Sequence, residues 1–155
     1  MGQMHAFFLL SRDEYDYWDF SKFYRRHPST ELPDDLLDYM NDSLKWITCH
    51  SPVVRGKLAE QKGLNHIGMT IIKEEGAMAT EAIFNSWADL FSQGPEELTL
   101  VGAWGWIEGG PAENGEYLKI ALDRDKTVSI LRQISEFAKS VRQSDGRLYV
   151  LHMGL

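Results

Sequence analysis

The sequence has little cysteine, little proline and no long apolar run. Its one cysteine, Cys49, cannot form an internal disulfide, which is typical of a reducing compartment and leaves the fold to packing alone. No stretch approaches the roughly 18 consecutive apolar residues of a transmembrane helix. The first residues also lack the basic and then apolar pattern of an export signal. We therefore expect a cytoplasmic protein with no membrane segment.

Positive charge is scarce in the middle of the chain. Nine carboxylates and no Lys or Arg lie between Glu74 and Leu118. The whole chain has a formal net charge of −7, although the part from Lys119 onward holds seven basic and four acidic residues. Nucleic acids and acidic lipids are bound mainly by Lys and Arg, so this distribution disfavours both as partners. It favours a basic partner protein.

The pattern of apolar residues predicts the fold class. A chain of 155 residues is the size of one domain, which we assign to residues 1–155. Strands are predicted at 5–11, 66–72, 98–107, 117–122 and 148–151, and helices at 33–47, 76–93 and from Asp123 or Asp125 to about Gly146. Segments 13–27 and 51–62 fit more than one element. Because the strands flanking 108–115 form a hairpin, we predict an α+β fold, a single-domain sandwich of helices on a mostly antiparallel sheet.

The most unusual stretch is Trp104–Tyr117, WGWIEGGPAENGEY. A phosphate loop must run from glycines into a helix N-terminus, whereas here Pro111 and then a strand follow the glycines. Glu108 and Glu116 resemble a carboxylate pair for hydrolysis, but solvated glutamates lack the burial that separates an acid from a base. A solvated acidic loop is the preferred interpretation.

Strand alternation places Leu98, Leu100, Trp104 and Trp106 on one face of their strand. Large aromatic residues are usually well buried, so we expect both tryptophans in the core. If one of them is exposed beside the acidic loop, it is a candidate interface anchor, because Trp is enriched among the residues that dominate binding energy.

Acidic residues also follow one stripe of the first predicted helix. Asp34, Asp38 and Asp42 are spaced four apart, and each neighbouring pair of like charges costs about 0.2–0.5 kcal/mol. Such a stripe indicates either a partner or a plain solvated face.

Catalytic and metal motifs are scarce. Cys49 and His50 are adjacent and point in different directions, so they cannot readily act as a nucleophile and its base, and a buried inert thiol is expected. The other histidines, His5, His27, His66 and His152, show no metal-ligand spacing. The sequence has no P-loop, dinucleotide or Gly-x-Ser-x-Gly fingerprint. We therefore expect no cofactor, no bound metal and no catalytic residue.

A small acidic domain with aromatics beside carboxylates, centred on Trp104-Gly-Trp-Ile-Glu-Gly-Gly110, is similar to bacterial immunity proteins as a general type. The resemblance implies a non-enzymatic inhibitor that binds and neutralises a basic toxin domain, often a nuclease. The expected partner-binding residues are acidic side chains and aromatic anchors: Asp34, Asp38, Asp42, Glu74, Glu75, Trp106, Glu108, Glu113, Glu116 and Tyr117.

Two other functions fit the same sequence. One is a small enzyme or ligand-binding domain that uses His66 or His152 with a buried glutamate in a pocket between sheet and helices. The other is a subunit of a larger complex.

Overall fold

The computed structural model describes residues 3–14, 27–54, 56–106 and 108–154. This part of the chain forms eight strands and three longer helices, and the predicted α+β fold is confirmed. The strands are β1 (Met4–Ser11), β2 (Thr30–Pro33), β3 (Thr48–Val54), β4 (Lys57–Lys62), β5 (Gly68–Ile72), β6 (Glu97–Gly105), β7 (Glu116–Asp123) and β8 (Leu148–Gly154). The helices are α1 (Asp34–Leu44), α2 (Glu74–Ser92) and α3 (Arg124–Arg142), with one short 3₁₀ turn at Ala112–Asn114. Most of the aromatic segment 13–27 lies outside the described residues.

Six strands form one antiparallel sheet in the order β2-β1-β8-β5-β3-β4. The last strand of the chain, β8, lies at its centre, with Phe7 of β1 opposite His152 and Thr70 of β5 opposite the same histidine. β6 and β7 pair only with each other and form a separate two-stranded hairpin.

The three central strands of the large sheet, β1, β8 and β5, are buried on both faces. Phe7 and Val150 face the helices and pack in the main core with Phe84 of α2 and Ile134 of α3. Alternate residues of the same strands form a second buried cluster on the opposite face, made of Ala6, Phe8, Leu10, Ile71, Tyr149, Leu151 and Met153. A strand that is buried on both faces needs apolar residues at every position. This requirement explains the uninterrupted apolar runs at the two ends of the chain.

The helices follow local signals in the sequence. Asp123 caps α3 by accepting a hydrogen bond of 2.7 Å from the backbone N–H of Lys126. The N–H of Gly94 bonds to the carbonyl of Phe91 where α2 ends, just before Pro95. α1 stops at Leu44, three residues earlier than predicted, because the chain then enters β3. Of these helices in the described ranges, none is long and apolar enough to cross a membrane.

Two strand assignments differ from the sequence analysis. The ambiguous segment 51–62 contributes most of the β3–β4 hairpin, with Val54 opposite Lys57 and Gly56 at a φ of +83° in the tight turn. Strand β2 pairs with β1 through only four residues and was not predicted. A strand this short carries too few alternating positions to be recognised before its partner is known.

Candidate functional site

The β6–β7 hairpin contains a β-bulge that changes which residues face the core. Val101 pairs with Lys119, but the next pair is Trp104 with Tyr117, so β6 contains one more residue than β7 between these pairs. One extra residue reverses the side-chain alternation of the strand beyond it. Trp104 consequently lies on the face opposite Leu98, which packs in the core.

The prediction that both tryptophans are core residues is therefore wrong. Trp104 is 43% exposed and Trp106 is 55% exposed. The predicted sharing of one face by Leu98, Leu100 and Trp104 is also wrong, because simple alternation did not allow for the bulge. We call residues 101–106 and 108–119 the hairpin arm; Val101, Tyr117 and Leu118 add further exposed apolar surface to it.

The exposed rings of the arm are held in a defined arrangement. Trp104 and Tyr117 meet edge to face with ring centroids 4.9 Å apart. The indole lies over Gly115, where a Cβ atom would come within 2.7 Å of the ring. Gly115 therefore allows Trp104 to lie flat against the opposite strand. The aromatic pair is ordered by contacts within the arm, although it contributes little to the core.

The hairpin arm also carries three carboxylates. Glu108, Glu113 and Glu116 are exposed, and in the described ranges none of them has a Lys or Arg partner within ion-pair distance. The carboxylates of α2 differ, because Arg142 binds Glu81 at 2.8 Å and Arg132 binds Asp89 at 2.6 Å. Arginines near the end of the chain thus neutralise part of the acidic segment but leave the arm negative.

A second unusual region lies where β1 and β8 meet the start of α1. We call it the histidine cluster: His5, His66, His152, Asp34 and Asp38. His5 and His152 are fully buried, and their Nδ1 and Nε2 atoms share a hydrogen bond of 2.9 Å. The two rings are nearly parallel, with a tilt of 12° and centroids 5.1 Å apart. His5 Nε2 lies 2.7 Å from Asp34 Oδ1, which links the core to the surface.

His66 completes the cluster from the connection between β4 and β5. Its Nδ1 lies 3.7 Å from Asp34 Oδ1 and its Nε2 lies 3.2 Å from Asp38 Oδ1. Two of the three acidic residues of the predicted stripe on α1 therefore have a histidine partner within the chain. The third, Asp42, pairs with Lys45 at 3.0 Å.

The connection that carries His66 is held by polar contacts. Asn65 donates from its side chain to Ser51 Oγ at 2.6 Å and to the carbonyl of Met69 at 2.8 Å. Its backbone N–H donates to Thr70 Oγ1 at 2.9 Å. The connection passes so close to Gly154 that a Cβ there would overlap the carbonyl oxygens of Asn65 and His66. These contacts hold the backbone of the connection at His66.

Burial controls the charge of the innermost histidine. It lowers the pKa of His152 from 6.5 to about 3, with smaller contributions from His5 and His66. His152 therefore stays neutral at neutral pH, with its Nδ1 3.4 Å from Thr70 Oγ1.

Cys49 and His50 form no catalytic pair. Burial raises the pKa of the Cys49 thiol to about 12, and its Sγ lies 3.7 Å from the carbonyl of Ile47. His50 points to the other face of β3, where burial lowers its pKa and its Nδ1 has no hydrogen-bond partner among the described residues. The predicted burial of the thiol is confirmed.

The expected partner-binding residues fall into three groups, apart from Asp42 on α1, which pairs with Lys45. Trp106, Glu108, Glu113, Glu116 and Tyr117 belong to the hairpin arm, whereas Asp34 and Asp38 belong to the histidine cluster. Glu74 and Glu75 form the first turn of α2, where the helix dipole favours carboxylates.

The alternative interpretation needs a pocket in which His66 or His152 lies beside a buried glutamate. A groove of about 630 Å³ lies between β2, the end of β7 and the start of α3, and none of the described residues that line it is a histidine. Glutamate is also missing from the buried polar residues of the described ranges. The carboxylates beside His66 are aspartates on the surface of α1.

The sequence analysis did not assign two residues to the candidate sites in which the structure places them. Trp104 was expected in the core because the bulge has no clear sequence signal apart from Gly102, whose missing Cβ leaves room for Leu118 and Ile120. His5 was missed because its partners are 29 and 147 residues away along the chain.

Comparisons with known proteins give no relative from which a role can be transferred. No family model matches this chain, and no curated protein or solved structure is similar to it.

Proposed function

We propose that this chain is a non-enzymatic binding protein that captures and neutralises a basic partner protein, in the manner of a bacterial immunity protein. The observation that carries the proposal is the hairpin arm, where exposed aromatic rings share a hairpin with three carboxylates that form no ion pair with a Lys or Arg of the described ranges. The proposed partner is a basic toxin domain.

The aromatic rings supply the proposed anchors. Trp and Tyr are enriched among the few residues that provide most of the energy of an interface. Trp104 and Tyr117 already contact each other, and the missing Cβ of Gly115 leaves room for the indole. Rings ordered before binding lose less conformational entropy when the partner arrives. A pre-ordered pair therefore suits tight binding better than two free side chains.

The carboxylates supply the proposed selectivity for a basic surface. Glu108, Glu113 and Glu116 flank the rings, and Lys119 is the only basic residue of the arm. Complementary charge raises association rates from about 10⁵–10⁶ to as much as about 10⁸–10⁹ M⁻¹s⁻¹ at low salt. Rapid capture suits an inhibitor that must act before its partner causes damage.

The test is protection of a bacterial host against the basic C-terminal domain of a large secreted protein encoded beside this chain. Co-expression of the wild-type chain is expected to restore growth. The double variant Trp104→Ser and Tyr117→Ser is expected to lose protection. Trp46→Ser is the matched control, because Trp46 is 69% exposed and lies outside the arm. Equal protection by all three proteins would reject the arm as the interface.

Association kinetics with the purified domain test the role of charge. Glu113→Lys with Glu116→Lys is expected to slow association at least about tenfold at low salt. The matched control is Glu60→Lys with Glu136→Lys, which reverses two exposed acids outside the arm. If both double variants associate at the wild-type rate, steering by the arm is wrong. If neither the wild type nor any variant binds the domain or protects the host, the proposed function is wrong.

A further inference from the structure

The histidine cluster brings together donor atoms that metal ions use. His5 Nε2, His66 Nδ1 and Asp34 Oδ1 all lie within 4.8 Å of one another. A tetrahedral zinc ion with bonds of about 2.0–2.1 Å sets its donor atoms about 3.3–3.4 Å apart. The separations from Asp34 Oδ1, 2.7 Å to His5 and 3.7 Å to His66, lie on either side of that value. Small side-chain movements therefore bring the three donors to coordination distance.

From this geometry we propose that His5, His66 and Asp34 bind one divalent transition-metal ion of the Zn²⁺ class, with the remaining position open to solvent. Two imidazoles and one carboxylate are a donor set that zinc accepts. His66 is 47% exposed and Asp34 is 28% exposed, so an ion can reach the site from solution. The proposal is independent of the hairpin arm and of the proposed function.

The position of His66 between two carboxylates favours a cation there. A neutral imidazole has one N–H, yet both ring nitrogens of His66 face a carboxylate oxygen, at 3.7 Å and 3.2 Å. If Nε2–H donates to Asp38, the lone pair of Nδ1 points toward Asp34. A metal ion beside Nδ1 removes this repulsion. Its two positive charges also match the charges of Asp34 and Asp38 at the start of α1, where the helix dipole alone disfavours a cation.

Residues next to His5 and His66 accept the further hydrogen bonds that metal-binding histidines usually donate. Such histidines commonly donate their other N–H to a carboxylate or another acceptor, which fixes the tautomer and the ring orientation. For His66 that acceptor is Asp38. For His5 it is His152, 2.9 Å away, once an ion replaces the proton on the Nε2 atom that lies 2.7 Å from Asp34. Asn65 holds the connection next to His66. The donors are therefore positioned before an ion binds.

The test uses the full chain freed of metal by a chelator and titrated with Zn²⁺ against a chromophoric competitor. The wild type is expected to bind one equivalent. His66→Gln is expected to weaken binding at least about 100-fold, and Asp38→Asn about 10–100-fold, the usual effect of losing an outer partner. Asp42→Asn is the matched control, since Asp42 lies on the same helix and its ion-pair partner is Lys45; it is expected to leave the affinity unchanged.

A second readout separates a built site from weak surface binding. Co²⁺ in the wild type is expected to give the intense visible absorption of a four-coordinate ion, and this absorption is expected to disappear in His66→Gln. His66 is exposed, so the variant is expected to fold, which its circular dichroism checks. The proposal is overturned if the wild type does not bind one equivalent of Zn²⁺, or if His66→Gln binds Zn²⁺ as tightly as the wild type. In either case His66 is held only by hydrogen bonds to the two aspartates.

Discussion

The hairpin arm and the histidine cluster depart from the usual pattern of side-chain burial in opposite directions. The arm exposes two tryptophans and a tyrosine to water, whereas the cluster buries two imidazoles completely. Stability alone favours the reverse arrangement, because apolar burial stabilises a fold and buried polar groups must find partners. Sites where residue choice departs from local rules are the expected places for function. The two regions are therefore separate functional candidates, one for a protein partner and one for a metal ion.

They also differ in how they are supported. The cluster lies between β1, β8 and α1, and its hydrogen bonds connect elements far apart in sequence. The arm depends on contacts between its own two strands, and only the base of the hairpin reaches the core. Substitutions of the buried His5 and His152 should therefore change folding as well as binding. Substitutions in the arm should change binding with little effect on folding.

The sharpest test of this difference lies within β6 itself. Leu98→Ala removes a residue that is only 4% exposed and is expected to lower the free energy of unfolding by about 2–4 kcal/mol. Val101→Ala, at a position that is 62% exposed on the same strand, is expected to change it by less than about 0.5 kcal/mol. Urea denaturation measures both. Equal losses would show that the arm is part of the cooperative core.

The next largest effect is expected at Gly154, beside the histidine cluster. In Gly154→Ala the new Cβ meets backbone carbonyl oxygens of Asn65 and His66, which cannot move without displacing the connection. We expect a loss of about 1–3 kcal/mol. Gly105→Ala in the arm is the control, because nothing lies within 4 Å of a Cβ there. Thermal unfolding of the two variants at the same pH checks the prediction, and an unchanged midpoint for Gly154→Ala would contradict it.

A smaller effect is expected from pH. Burial lowers the pKa of His50 below 6.5, so the unfolded chain binds more protons than the native state as pH falls below that value. This contribution to stability is therefore present above pH 6.5 and is lost on acidification. For His50→Gln, we expect the free energy of unfolding to fall less steeply between pH 6.5 and 5, by up to about 1.4 kcal/mol per pH unit. Urea titrations in the presence of a chelator measure the slopes. Parallel curves for the two proteins would refute the prediction.

The smallest effect on stability is expected in the arm. Trp104→Ser removes the edge-to-face contact with Tyr117, and such pairs contribute about 0.5–1.5 kcal/mol beyond their buried area. Because both rings are substantially exposed, we expect a loss of less than about 1 kcal/mol. Chemical denaturation of the variant provides the measurement. A loss as large as that of Leu98→Ala would mean that the indole is a core residue after all.

Local patterns in the sequence determined the fold class and most of the elements. The apolar stripe of α3 and its cap at Asp123 lie within one segment, as do the glycine and proline that end α2. The adjacent strands around 108–115 also required only a short connection. Such features are predictable because helix periodicity, caps and turns depend on neighbouring residues.

Only the tertiary structure decided where the two candidate sites lie. One extra residue in β6 moves Trp104 to the outer face, and a change of register leaves no mark on composition or charge. His5, His66 and His152 come together because β8 pairs with both β1 and β5, which places residues up to 147 positions apart in contact. Strand pairing over such distances depends on the packing of the whole sheet, so no local pattern in the sequence reveals it.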